Sequence, residues 1–287
     1  MEPITYLQAV ILGILQGFTE PFPVSSLGHA VVLPRLFGWN IHQNDEFFLA
    51  FLVATHLATA IVLFLMFLED WRRIGRGMVR SLRTRDISDA DGRLGWLLVV
   101  GTIPAGLVGL LLEHPLRTLF ASAATAAAFL VVNGVLLLIF ERLRTRAPAP
   151  GDWTGDVDSR LSHLSWRQAF AVGTSQAAAL IPGISRSGVT MGGGLMSGLS
   201  NDDAARYSFL LATPIIGAAA VLKLPDLLGH HGDGVRGQAL VAALCAAAAT
   251  YVAVRFLLRF FETQRLTWFG VYCIAFGGLA SLVFALS

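Results

Sequence analysis

Gln16 and Glu20 stand four residues apart, which puts both on one face of a short helix. Pro21-Phe22-Pro23 ends that helix, because proline lacks the backbone donor and disfavours helix in the residue before it. Val24-Ser25-Ser26 follows, and serine is suited to cap the helix that starts there. Ser26 and His29 are three apart on this second helix, again on one face. Glu20, Ser26 and His29 can therefore converge around one break. The bland alternative is that Glu20 caps a helix or pairs with Arg186. A hydroxyl and an imidazole so near the carboxylate favour chemistry.

A second break, PGISRSGVT, runs from Pro182 to Thr190. Pro182-Gly183 breaks the helix and Ser185 is the matching cap. Arg186, Ser187 and Thr190 then supply donors at the new helix start. Helix N-termini present free N–H groups and the positive end of the dipole, and arginine adds a planar fork matched to phosphate oxygens. Two half-helix N-termini, one arginine and several hydroxyls meeting near mid-membrane would form an anion site. A Ser/Gly-rich packing motif is the bland reading, and a buried Arg186 argues against it.

The two breaks are related. Gly13–His29 lies over Gly173–Val189 without a gap, 160 positions apart, with Gly13 on Gly173, Gln16 on Gln176, Ser25 on Ser185, Ser26 on Arg186 and Gly28 on Gly188. The likeness continues in FLVAT at Phe51–Thr55 and FLLAT at Phe209–Thr213, offset by 158. A duplicated broken helix in a membrane protein points to a binding site at the repeat interface.

The elements that must position these residues are apolar. Mean hydropathy is +0.65, and only 14% of residues are charged, against about 25% in soluble domains. Apolar runs at roughly 46–68, 94–112, 119–140, 204–222, 236–258 and 266–286 are each about long enough to cross a bilayer. Pro104 and Pro214 inside two of them are tolerable in membrane helices. The motif segments, Gln8–Phe37 with Pro21, Pro23 and Pro34, and Ala169–Leu199, are too broken to span. They read as re-entrant helix–break–helix hairpins. Three spans follow each hairpin, so the halves are inverted. The expected fold is an all-α integral membrane protein with six transmembrane helices plus two re-entrant hairpins. It forms one domain over 1–287, with repeat one about 1–145 and repeat two about 160–287. Thr145–Asp158, with Pro148, Pro150 and Gly151, reads as the polar linker.

Arginine placement orients the chain. Seven arginines lie between Arg72 and Arg93 and five between Arg142 and Arg167, with Arg206, Arg255, Arg259 and Arg265 on the same side. The positive-inside rule makes that side cytoplasmic and both termini external. The clusters read as topology signals in preference to lipid contacts. The net charge of +2 gives no case for a nucleic-acid partner. MEPITY lacks the basic start of a cleaved signal peptide. Cys245 and Cys273 read as small core residues, and Gly192, Gly193, Gly194 and Gly198 as close-packing positions. His56 reads as a hydrogen-bonded structural residue within the first span in preference to a ligand, with a role supporting the site left open; His42, His114, His163, His230 and His231 read as loop residues.

At its two motifs the chain resembles the integral-membrane bacitracin-resistance family of undecaprenyl-pyrophosphate phosphatases. The residues that carry this are Gln16, Glu20 and Pro23-Val24-Ser25-Ser26-Leu27-Gly28-His29, then Pro182, Gly183, Ser185, Arg186, Ser187 and Thr190. The resemblance covers nearly the whole chain. It implies hydrolysis of a polyprenyl diphosphate lipid to the monophosphate, recycling a carrier for cell-wall synthesis and giving bacitracin resistance. It also implies a site in the bacterial plasma membrane that opens extracytoplasmically. Glu20, Ser26, His29 and Arg186 carry over as catalytic residues, and Ser25, Gly28, Ser185, Ser187 and Thr190 as substrate-binding ones. A divalent cation, Mg or Ca, would be held by Glu20 with Gln16. Three positions depart from the family pattern: Gln16 is the less acidic option, Pro21 replaces an aromatic and Leu27 a small polar residue. Membrane lipids are the surroundings, and a homodimer is left open.

The expected mechanism has Ser26 as nucleophile and His29 as its base, with Arg186 and the half-helix N–H groups stabilising phosphoryl charge. A His29-activated water, or His29 itself as nucleophile, stays open. The rival class is a transporter, such as a lipid-phosphate flippase, because broken inverted repeats also serve transport. The Ser–His–Glu grouping favours hydrolysis, since transport needs no nucleophile.

Overall fold

The computed structural model describes residues 4–39, 41, 46–119, 122–144, 157–229 and 234–286, and these are all helix, turn or connection. The expected linker falls almost wholly outside them, as do His42, His230 and His231. Five helices are long and apolar enough to cross a membrane. They are α5 (Ala90–Leu119), α6 (Ala123–Arg144), α10 (Asn201–Leu228), α11 (Arg236–Thr263) and α12 (Thr267–Leu286). A sixth candidate is α3 (Glu46–Met66), which bends by 76° into α4 (Leu68–Thr84). The chain is therefore a multi-pass membrane protein. The basic stretch after the first span, expected as a loop, is mostly the helix α4, and His114 lies inside α5 instead of in a loop.

Both motif segments fold as helix, break, helix. The first is α1 (Tyr6–Thr19) and α2 (Ser26–Leu36); the second is α8 (Trp166–Ser175) with a 3₁₀ turn (Gln176–Leu180), then α9 (Arg186–Met196). A six-residue helix, α7 (Val157–Ser162), precedes α8. Thr5 and Gln8 form a capping box at the start of α1, and Ser165 and Gln168 form the same device at the start of α8. These pairs are also 160 apart, so the likeness of the segments begins earlier than the motif overlay. Pro34 does not interrupt the first segment as expected. It sits in the last turn of α2, where its missing N–H removes one helical bond and only Arg35 and Leu36 follow it in the helix.

Each broken segment packs on a long helix of the other half. Gly13 and Gly17 of α1 lie against Ala242 and Ala246 of α11, and Gly173 of α8 lies against Gly101 of α5. Glycine lets the backbones approach this closely. Buried hydroxyl and amide groups then reach main chain across the seams, from Thr250 Oγ1 to Gly17 O at 3.2 Å and from Gln176 Nε2 to Gly101 O at 3.0 Å. Between these layers α3 packs on α10, and in both helices a threonine bonds the carbonyl four residues back, Thr55 to Phe51 and Thr213 to Phe209.

One end of the bundle is tied by arginines. Arg206 of α10 donates to both oxygens of the buried Asp70 of α4, at 2.8 and 2.7 Å. Arg160 of α7 forks onto Asp203 at 2.9 and 2.8 Å. The Arg160 fork and the charge-assisted bonds from the single Nη2 of Arg206 hold α7 and α4 to the start of α10.

Candidate active site at the paired helix breaks

Sequence places a capping serine at each break, and the fold brings the breaks together. Ser25 holds φ 69°, a left-handed conformation rare for serine. Its Oγ accepts from Gly28 N in its own helix at 3.2 Å and from Gly183 N in the opposite break, also at 3.2 Å. Gly28 and Gly183 touch backbone to backbone; a Cβ on Gly28 would lie 2.9 Å from Gly183 Cα. Ser185 caps α9 through Gly188 N at 3.1 Å. Ser187 Oγ donates to Phe22 O at 2.8 Å. Asn133 of α6 spans both breaks, donating to Pro23 O at 3.0 Å and accepting from Ser185 N at 2.9 Å.

At the junction sits Glu20, buried at the end of α1. Its Oε1 accepts from Arg186 Nη2 at 3.0 Å. Its Oε2 accepts from the Ser26 hydroxyl and from Gln16 Nε2 at 3.1 Å. Ser26 and Arg186, which occupy matching positions after the two caps, thus meet on one carboxylate. His56 of α3 adds an imidazole Nε2 3.6 Å from Glu20 Oε2 and 3.4 Å from Gln16 Nε2. Arg186 keeps Nε and Nη1 buried without protein partners, and Gln16 Oε1 is likewise unpartnered. Buried donors left open in this way carry a cost that an anionic ligand would remove.

A cavity of about 270 Å³ opens at these groups. Glu20, Ser25, Ser26, Gln176, Ser185 and Arg186 line its polar end, with His56 beside them. Leu52, Ile215, Ile216, Ala219 and Ala220 make an apolar wall that ends at Lys223. A charged pocket with a long apolar wall suits an amphiphile that carries an anionic head.

His29 is not part of this constellation. It is 1% exposed; Nδ1 meets Ser25 O and Nε2 meets the Tyr272 hydroxyl, both at 2.8 Å. Its ring is parallel to Tyr272 and Phe276, with centroids 5.7 and 4.8 Å away. The i,i+3 spacing places Ser26 and His29 on one side of α2, but the aromatic slot of α12 draws the imidazole away from the break. Nor do Ser187, Thr190 and Gly28 line the cavity as expected of substrate-binding residues. The Ser187 hydroxyl is used by Phe22 O, and that of Thr190 by Arg186 O at 2.9 Å and by Ser208. Gly28 serves the close approach of the breaks. Ser25 and Ser185 do reach the cavity while acting as caps.

The sequence assigns no site role to Asn133, Tyr272 or Lys223, and gives His56 at most a supporting one. Asn133 had a legible signal, as a lone polar side chain in an apolar run. His56 sat in the first span with its possible partner, Glu20, far away in sequence.

Hard divalent cations bind through a few carboxylate or amide oxygens plus substrate phosphates and water. The Glu20 carboxylate and the unpartnered Gln16 Oε1 fit such a shared shell. Among the described residues no group of three or more His, Cys, Asp or Glu could hold a metal by itself.

Comparison with known proteins covers nearly the whole chain. The family of bacitracin resistance protein BacA matches residues 9–279. The chain is 49% identical to the undecaprenyl-diphosphatase of Mycolicibacterium paratuberculosis (strain ATCC BAA-968 / K-10) over 297 residues, covering 98% of this chain and 97% of that protein. It is 48% identical to the undecaprenyl-diphosphatase of Granulibacter bethesdensis over 296 residues, 99% of each chain. It is 43% identical to undecaprenyl-diphosphatase 2 of Frankia alni over 343 residues, all of each. With matches of this extent, and with Glu20, Ser26 and Arg186 gathered at one cavity, the chain belongs to the bacitracin resistance protein BacA family.

Proposed function

We propose that this chain hydrolyses undecaprenyl diphosphate to the monophosphate and phosphate, recycling the lipid carrier of cell-wall synthesis and so conferring resistance to bacitracin. The observation that carries the reading is Glu20, joined at once to the Ser26 hydroxyl and to Arg186 at the polar end of a cavity with an apolar wall. The lipid tail lies along the Leu52, Ile215 and Ile216 wall, and the diphosphate reaches the helix breaks.

The Ser26 Oγ attacks the terminal phosphorus while its proton passes to Glu20 Oε2, the acceptor it already meets. The bond from that phosphorus to the bridging oxygen breaks, and undecaprenyl monophosphate leaves with the bridging oxygen. Water then attacks the same phosphorus, the bond from phosphorus to Ser26 Oγ breaks, Oγ takes its proton back from Glu20, and dihydrogen phosphate departs. Arg186 presents Nε and Nη1 to the phosphoryl oxygens, where charge-assisted donors count most. A divalent cation held by Glu20 and Gln16 Oε1 would supply neutralisation of the diphosphate charge. His29 supports the start of α2 from behind. For it to act as base or nucleophile, its ring would have to leave Tyr272.

The architecture is read as two inverted repeats with the broken segments as re-entrant hairpins. Matching capping boxes, matching N-caps and reciprocal packing of each hairpin on the other half support this. The site is read as opening extracytoplasmically. Lys223 at the cavity wall is seventeen residues beyond Arg206 on α10, about 25 Å from the arginine-rich end.

The test is phosphate release from undecaprenyl diphosphate by the purified protein in detergent, with and without added divalent cation. Steady release that disappears in Ser26→Ala supports the reading. A wild type that releases no phosphate overturns it in favour of transport.

A further inference from the structure

At the end of the bundle away from the cavity, α4 leaves α3 at 76° and turns a mixed surface outward. Arg72, Arg76 and Arg83 fall within about 40° of one another around the helix. All three are exposed, and among the described residues none has a carboxylate partner. Arg73 and Arg80, on the next side, are matched by Asp70 and Asp89. Going round the other way come Val79 and Leu82, 49% and 65% exposed, and then Trp71 and Met78. Asp70, Ile74, Gly77 and Ser81 face the protein. The helix therefore has a cationic row, an apolar flank and a buried seam, the pattern of a helix lying in a membrane interface.

The apolar flank continues into a groove. Trp71 and Met78 begin a cavity of about 380 Å³ that runs along α5 from Gly95 to Leu110 beside Ile103, with Pro214 of α10 on the far side. Fifteen residues of helix make it about 22 Å long, more than one leaflet of hydrocarbon at about 15 Å. Almost no polar surface lines it. Three guanidinium groups without carboxylate partners lie on α4 across Val79 and Leu82 from the end of a chain-length apolar groove, and together they define the occupant by charge and shape. It is neither the substrate cavity nor the reaction chemistry.

We propose that α4 and α5 form a binding site for an anionic glycerophospholipid of the cytoplasmic leaflet. The phosphate of its headgroup lies against Arg76, flanked along the helix by Arg72 and Arg83, and one acyl chain lies in the α5 groove. A basic residue near an anionic lipid surface contributes about fivefold in affinity. Three of them account for a strong preference for anionic over zwitterionic lipid.

Native mass spectrometry of the delipidated full-length protein tests this, with equimolar dioleoyl-phosphatidylglycerol and dioleoyl-phosphatidylcholine as probes. The wild type is expected to hold one phosphatidylglycerol at least about tenfold in preference. Combined Arg72→Gln, Arg76→Gln and Arg83→Gln should bring the two lipids to near parity. Ile103→Trp leaves the arginines in place but fills the groove, and should also lose the retained lipid. Unchanged phosphate release in both variants would show that they are folded. Equal binding of the two lipids by wild type overturns the proposal, as does a preference that survives the triple substitution. Retention of phosphatidylglycerol by Ile103→Trp removes the groove from it. A dimer that Ile103→Trp dissociates would assign the groove to a second copy of the chain and overturn it too.

Discussion

Arg186 Nη2 stands 3.0 Å from Glu20 Oε1, joining residues 166 positions apart in sequence. That one contact links the second helix break to the carboxylate of the first, while leaving Nε and Nη1 of the same guanidinium open. One edge of the fork is held by protein and the rest is available to phosphate. Lysine cannot do both, because its donors radiate from a single point. Arg186→Lys should lower kcat/KM for undecaprenyl diphosphate by about tenfold or more. A lysine variant with near-normal kcat/KM would show that charge alone suffices.

Ser26 and Ser25 are adjacent but serve different partners. Ser26→Ala should nearly abolish phosphate release while the protein stays folded and still binds diphosphate. Ser25→Ala removes the acceptor of two buried N–H groups, so it should cost about 2 kcal/mol of stability, more than a single cap. Thermal melting and phosphate release on both variants separate the roles. Normal hydrolysis by Ser26→Ala alongside inactive Ser25→Ala would reverse the assignment.

His29 and Tyr272 pin α2 to α12. Tyr272→Phe deletes the hydroxyl partner of Nε2 and keeps the ring stack. It should lower the melting temperature and leave kcat within about threefold, as expected of a lost hydrogen bond outside the reaction centre. If His29 is the base for Ser26, His29→Gln should instead remove activity by orders of magnitude at unchanged melting temperature.

Asn133 supplies one side chain to both breaks. Asn133→Leu strips Pro23 O and Ser185 N of their partner, and should destabilise the protein by about 2 kcal/mol. Activity should fall with it, because the two breaks lose their common tie. Melting with phosphate release at a temperature where the variant is fully folded distinguishes loss of fold from loss of alignment. A variant as stable as wild type would show that the breaks hold each other without α6.

Topology follows from the arginines. A cysteine at Ser88, exposed in the turn between α4 and α5, should be shielded from a membrane-impermeant thiol reagent added outside intact cells, in a background lacking Cys245 and Cys273. Labelling there before the cells are opened would invert the orientation.

Much of the fold could be read from local pattern. Apolar runs announced five long helices and the α3 candidate, because a hydrocarbon solvent demands continuous apolar surface. Proline pairs and serine caps announced both breaks, because these residues act on the backbone within a few positions. The likeness of Gly13–His29 and Gly173–Val189 announced that the breaks belong together. The bend into α4 was hidden by a run of arginines that reads equally well as loop, its amphipathic pattern being visible only once a helix is assumed.

The sequence alone determined which residue types stand at the breaks and that Ser25 and Ser185 cap, since capping depends on a serine and an N–H three residues later. Only the tertiary structure decided which of the remaining side chains share the cavity. Helical spacing gives a side chain's face to within a turn, but Ser26 turns to Glu20 while His29 turns to Tyr272 because α1 and α12 offer those partners on either side of α2. His56, Asn133 and Lys223 join the site from α3, α6 and α10. Their roles rest on contacts between distant segments, which packing creates and spacing along the chain does not record.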